Sequence, residues 1–177
     1  MHRRGQGHSP GSAGLSSCWR VLTVQSMLCS SRATNRTFFL FRLPGSQMLA
    51  TSTFALKRWD EKPYDEADGA PKLTRASVLY EFEGEMSGEG RLEYLMTYLP
   101  DGSAVFVGYQ RFVGRVGGRD GSFIFQHGGR FANGVASDAW TVVAGSGTGA
   151  LSGIRGQIEF SAAHQDRYEI IFDYDVA

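Results

Sequence analysis

The sequence has no cysteine after Cys29, no run of about 20 apolar residues, and no Asp or Glu among residues 1–47. Each absence excludes something. Without cysteine, the chain from Met48 onward needs neither a disulfide framework nor a thiolate metal site. Without a long apolar run there is no transmembrane helix, since Phe38-Phe39-Leu40-Phe41 is far too short to span. The missing acids make residues 1–47 a basic leader that carries six arginines and both cysteines, Cys18 and Cys29. From Met48 onward, twelve Lys/Arg stand against eighteen Asp/Glu, a net of −6. A domain of that sign argues against nucleic acid as a partner, because phosphate neutralisation supplies most of that affinity. A Ser/His/Asp elbow, a Cys/His pair and a His-based metal spacing are all missing, so no metal and no cofactor are expected.

The composition therefore predicts a leader over residues 1–47 and one domain over 48–177. An Arg- and Ser-rich, acid-free leader fits an organelle transit peptide, and it equally fits an upstream extension of the reading frame with Met48, not Met1, as the natural start. The second reading is preferred, and with it a cytoplasmic location. The segment Trp19–Leu28 is broken by Arg20, Thr23, Gln25 and Ser26, which is poor for a secretory signal. The domain's roughly 130 residues are enough to bury about two-thirds of their unfolded surface.

What the domain does contain is period-two alternation, punctuated by turns. Strands are predicted at Thr53–Trp59, Leu73–Phe82, Arg91–Tyr98, Ser103–Val116, Ser122–Phe131, Val135–Val143, Leu151–Phe160 and Arg167–Asp175. Pro100-Asp101-Gly102, Gly117-Gly118 and Asn133-Gly134 are turn signals, the last of the primed type that closes two-residue hairpins. No amphipathic helix is credible. Eight evenly spaced strands predict an all-β fold, a closed antiparallel barrel of the width that is either filled by side chains or holds one small ligand.

The densest punctuation is the run Gly145-Ser146-Gly147-Thr148-Gly149, continued by Gly153 and Gly156. It formally matches a dinucleotide fingerprint, but the helix that must follow is replaced by β-like alternation of Ile154, Ile158 and Phe160. These glycines are read as a structural corner leading into a strand. Glu81, Glu83, Glu85, Glu89 and Glu93 are read as a solvated outer face. The two Asp-Gly-Ser triplets, at Asp101 and Asp120, are read as turns rather than a carboxylate dyad.

His127 is the titratable group of most interest. It shares a strand face with Phe123 and Phe125, which would place it among aromatic rings near a barrel mouth. It would there be either a ligand-contacting group or a hydrogen-bonded structural histidine. Tyr94, Tyr109 and Arg111 are the candidate polar groups opposite it. Tyr109 and Arg111 share a face with Val105, Val107 and Val113; this face either lines the barrel or is its outer wall, with Phe106, Gln110 and Phe112 inward.

The segment Thr53-Phe54-Ala55-Leu56-Lys57-Arg58-Trp59-Asp60-Glu61-Lys62-Pro63-Tyr64 resembles the opening of the bacterial domain-of-unknown-function family 3224. The family's later motifs follow in order, in Lys72-Leu73-Thr74-Arg75-Ala76-Ser77, Gly114-Arg115, Gly121-Ser122-Phe123 and the stretch from Gly145 to Gly156. The resemblance implies an allene-oxide-cyclase-like, calycin-like barrel and implies no activity. On this footing the expected function is binding of a small hydrophobic or carboxylate-bearing ligand. A cofactor-free isomerase or cyclase acting by confinement is the second reading, and a filled barrel acting through protein contacts the third. Self-association is left open.

Overall fold

The computed structural model describes residues 47–177, so the expectations for the leader lie outside the described residues. Nine strands follow: β1 (Met48–Asp65), β2 (Lys72–Gly84), β3 (Met86–Tyr98), β4 (Ala104–Val116), β5 (Arg119–Ala132), β6 (Val135–Val142), β7 (Thr148–Gly149), β8 (Ile154–Ala163) and β9 (Tyr168–Val176). Eight of them form a closed antiparallel barrel in the order β1-β2-β3-β4-β5-β6-β8-β9, with β9 pairing back onto β1. Two-residue β7 pairs only with the start of β5. Closure pairs every long strand with two neighbours, although β1 beyond Phe54 pairs only with β2 and β8 beyond Gln157 only with β6. Among the described residues no helix is long and apolar enough to cross a membrane, which says nothing about strands.

Local chemistry explains the joints. Gly117 and Gly118 (φ 54° and 80°) join β4 to β5, and Asn133 and Gly134 (φ 53° and 78°) join β5 to β6. Both are primed turns, whose twist matches that of the strands they connect. Between β3 and β4, the Asp101 carboxylate accepts hydrogen bonds from the N–H and hydroxyl of Ser103. At the glycine corner, Gly145, Gly149 and Gly153 adopt φ of 80°, 60° and 79°. Gly147 serves differently: a Cβ there would run into the carbonyl oxygen of Leu151. Gly156 likewise lets the backbone pass close to Asp173 and the Phe172 ring.

The strands depart from expectation in three ways. β1 begins at Met48 and β3 at Met86, because pairing continues past the segments where apolar alternation is visible. β8 starts at Ile154 rather than Leu151, since the chain is still turning through 150–153. The third departure is a bulge in β1. Leu56 pairs with Tyr80 and Arg58 with Leu79, leaving Lys57 as an extra residue. Such an insertion swaps the faces of everything beyond it. Ala50, Ser52 and Phe54 point inward before the bulge; after it, Trp59 and Glu61 take the inner side instead of Arg58 and Asp60.

The barrel interior divides into two halves. At the corner end, Met86, Phe112, Phe123, Phe172, Leu151 and Ile154 are fully buried and fill the lumen. The opposite end, where β3 meets β4, β5 meets β6 and β8 meets β9, stays open.

Candidate functional site

The open end encloses a cavity of about 350 Å³ whose walls include Phe54, Tyr80, Phe106, Trp140, Phe160 and Tyr168. Inward positions on all eight barrel strands converge here because alternation aims every second residue at the lumen. Its floor is polar. Asp138 on β6, inward between Ala136 and Trp140, is 6% exposed. Its Oδ2 accepts hydrogen bonds from the Tyr94 hydroxyl (2.9 Å), the Trp140 indole Nε1–H (2.8 Å) and His127 Nδ1 (2.9 Å). Oδ1 accepts from the backbone N–H of Gly128 at 3.1 Å. Tyr94 Oη also lies 3.2 Å from His127 Nδ1. A buried carboxylate with this many donors is a satisfied group that fixes the orientation of three rings.

Burial, and then the charge of neighbouring groups including Asp138, pushes the Tyr94 hydroxyl well above the usual tyrosine range. Burial also pushes up Tyr80, with the Asp138 charge adding to it. Both rings therefore stay protonated and present hydroxyls rather than phenolates.

A second polar group stands at the rim. Glu61, delivered inward by the β1 bulge, accepts hydrogen bonds from Thr74 Oγ1 (2.6 Å), the Tyr98 hydroxyl (2.7 Å) and Trp59 Nε1–H (2.9 Å). Partial burial pushes the Glu61 carboxyl up, but these donors and nearby Lys72 outweigh it and hold it below the usual range. Partial burial and the Glu61 partner push Tyr98 up to about 12.

The candidate residues from the sequence separate accordingly. His127 lies on the face of Phe123 and Phe125, with ring centroids 6.3 Å from Phe125 and 4.6 Å from Trp140. It is 1% exposed, so it sits behind the floor rather than at the mouth. Tyr94 meets it and also lines the cavity. Tyr109 and Arg111 do not: Tyr109 is 59% exposed and both side chains point outward, while Gln110 and Phe112 take the lumen. They are corrected to the outer wall, and among the described residues no arginine lines the cavity to receive a carboxylate. His127 Nε2 and both amide atoms of Gln110 are buried without a hydrogen-bond partner among the described residues.

Sequence reasoning missed Asp138, Trp140, Trp59 and Glu61. The spacing Ala136, Asp138, Trp140, Val142 would have flagged the first two, since a carboxylate alternating with apolar residues shares their face. Nothing in the sequence marks the bulge that turns Trp59 and Glu61 inward.

The acidic β2–β3 surface is occupied by ion pairs, Lys57–Glu81 at 2.6 Å, Arg75–Glu93 at 2.9 Å and a two-pronged Arg167–Glu83 contact at 2.6 and 3.0 Å. Among the described residues, no three His, Cys, Asp or Glu side chains gather as a metal-binding group.

A family model described as a protein of unknown function (DUF3224) matches residues 50–174. The chain belongs to the DUF3224 family. A crystal structure of a DUF3224-family protein with unknown function from Shewanella oneidensis MR-1 is similar, at 25% sequence identity and a TM-score of 0.59. The match covers 74% of this chain and 98% of that one. No curated protein matches the chain. The DUF3224 match runs from within β1 to within β9, so it takes in every long strand, the floor and the rim.

Proposed function

We propose that this DUF3224 protein binds a small hydrophobic molecule in the mouth-end cavity. The observation that carries this reading is the cavity itself: about 350 Å³, walled by aromatic rings and floored by hydrogen-bonded polar groups. That is the size and chemistry of small-molecule sites, in which apolar walls supply affinity and a few polar groups fix orientation. A space more than ten times the volume of one water speaks against a filled barrel acting only through protein contacts. The carboxylate-bearing alternative loses its support, because Arg111, its one proposed partner, lies on the outer wall.

A second reading is a cofactor-free isomerase or cyclase, to which the allene-oxide-cyclase-like resemblance of the Gly145–Gly156 hairpin belongs. It is favoured by one feature, the Tyr94–Asp138–His127 cluster touching the cavity. Against it, every Asp138 oxygen already accepts a hydrogen bond, which weakens the carboxylate as a base.

The test uses the fluorescence of Trp140, which lines the cavity, with neopentylbenzene as the probe. A saturable shift of the emission, from displacement of water beside the indole, is expected in the native chain and its loss in Ala136→Phe, which puts a phenyl ring into the cavity from the half-buried Ala136. An equal shift in both proteins would place the probe elsewhere and refute the reading.

A further inference from the structure

Resting on that reading, we propose a ligand class: the cavity takes a hydrophobic cation, an amine or quaternary ammonium, in preference to neutral or anionic molecules of the same shape.

The charge of the floor comes first. Trp140 Nε1–H and Gly128 N–H can only donate, and Tyr94 donates as well, so the donor set around Asp138 fits an ionised carboxylate. His127 is its one ion-pair contact among the described residues. The histidine's other nitrogen, Nε2, is buried without a partner. The floor therefore presents one hydrogen-bonded carboxylate to the cavity. Among the described residues, no lysine or arginine lines the cavity.

The walls come second. A cation is attracted to the face of an aromatic ring, and desolvated ring clusters are the recognised way to hold quaternary ammonium groups. Tyr80 and Trp140 lie near-parallel, 9° apart with centroids at 6.4 Å, and Phe54 meets both. Tyr94 donates its hydroxyl proton to Asp138, which enriches its ring in electron density.

The rim supplies a model of the same chemistry within the chain. There the Tyr98 hydroxyl donates to Glu61, and the Lys72 ammonium sits 5.1 Å above the Tyr98 ring. Tyrosine, carboxylate and cation form one unit. Tyr94 and Asp138 repeat the first two members at the floor, with no lysine or arginine beside them among the described residues. The matching third member is a ligand that brings its own positive charge.

Three probes of similar size separate the alternatives in calorimetric titration of the full chain: benzyltrimethylammonium, its neutral isostere neopentylbenzene, and 4-tert-butylbenzoate. The ammonium is expected to bind about tenfold or more tighter than the neutral isostere, with the benzoate weakest. Asp138→Asn should bring the ammonium and the neutral probe to within about twofold of each other. Should that variant fail to fold, Tyr80→Leu removes a wall ring that takes no part in the Asp138 hydrogen bonds, and it should weaken the ammonium more than the neutral probe. Neutral binding equal to or tighter than the ammonium overturns the proposal and leaves the binding reading standing. No binding by any of the three overturns both.

Discussion

The two ends of this barrel obey one alternation rule and come out differently. At the corner end, Phe112, Phe123, Phe125 and Phe172 pack ring against ring at 4.9–5.8 Å and leave the lumen full. At the mouth end the inward rings mix Phe54, Phe106, Phe131 and Phe160 with Trp59, Tyr80, Tyr94, Tyr98, Trp140 and Tyr168, whose tips are polar, around open space. Among the described residues, Tyr174 is the one polar-tipped ring buried at the corner end. Phenylalanine maximises buried area with nothing to satisfy; tyrosine and tryptophan need partners, which Asp138 provides for Tyr94 and Trp140 and Glu61 for Tyr98 and Trp59. On the proposed function, the difference teaches that stability and recognition are divided along the barrel axis, the first in the filled half and the second in the open one.

The sharpest way to break that division is to truncate one ring in each half. Phe123→Ala, at 0% exposure, should cost about 3–5 kcal/mol in urea unfolding. Phe131→Ala, at the mouth and 41% exposed, should cost under about 1 kcal/mol. Similar losses at both sites would mean that the mouth carries as much of the stability as the filled half.

Next in size is the corner. Gly147→Val should destabilise by about 1–3 kcal/mol, because its side chain meets the Leu151 backbone, which cannot swing aside. A cost near zero would show that the corner does not hold the filled end shut. His127→Ala should cost a comparable or slightly smaller amount, about 1–2 kcal/mol, by removing one donor from buried Asp138. It should weaken probe binding less than Asp138→Asn does, since His127 lies behind the floor.

The smallest effect sharpens the account of the rim. Glu61 is held below its ordinary 4.5 in the folded barrel, so the unfolded chain takes up its proton first as pH falls. Its contribution is therefore present above about pH 4.5 and lost as pH drops through the folded value. The stability difference between the native chain and Glu61→Gln should shrink in acid unfolding curves below that pH. A difference that stays constant would mean that the three donors do not favour the ionised form.

Much of the barrel was legible because strand alternation and primed turns are local. Asn133-Gly134 and Gly117-Gly118 name their hairpins outright, and Tyr80, Phe82, Ile170 and Phe172 declare their face by spacing. β4 was ambiguous for a physical reason. Val105, Val107 and Val113 are apolar yet 48–54% exposed, so both faces of that strand read as interior, and Tyr109 and Arg111 could not be assigned. The site was less legible than the fold, because it depends on cross-strand register. His127 faces Trp140 across β5 and β6, which brings Asp138 beneath it, and no spacing along one strand reveals that pairing. The β1 bulge is likewise a property of two strands, not one.

The central claim, that the mouth-end cavity is the ligand site, is tested most directly by an amide and indole NMR titration of the full chain with benzyltrimethylammonium and neopentylbenzene. The account predicts saturable shifts at the Trp140 indole N–H, the Gly128 amide that donates to Asp138, and Ala136, with Phe123 and Phe172 unmoved. Shifts confined to the exposed outer stripe of Val105, Val107 and Tyr109, or no shifts with either probe, would contradict it.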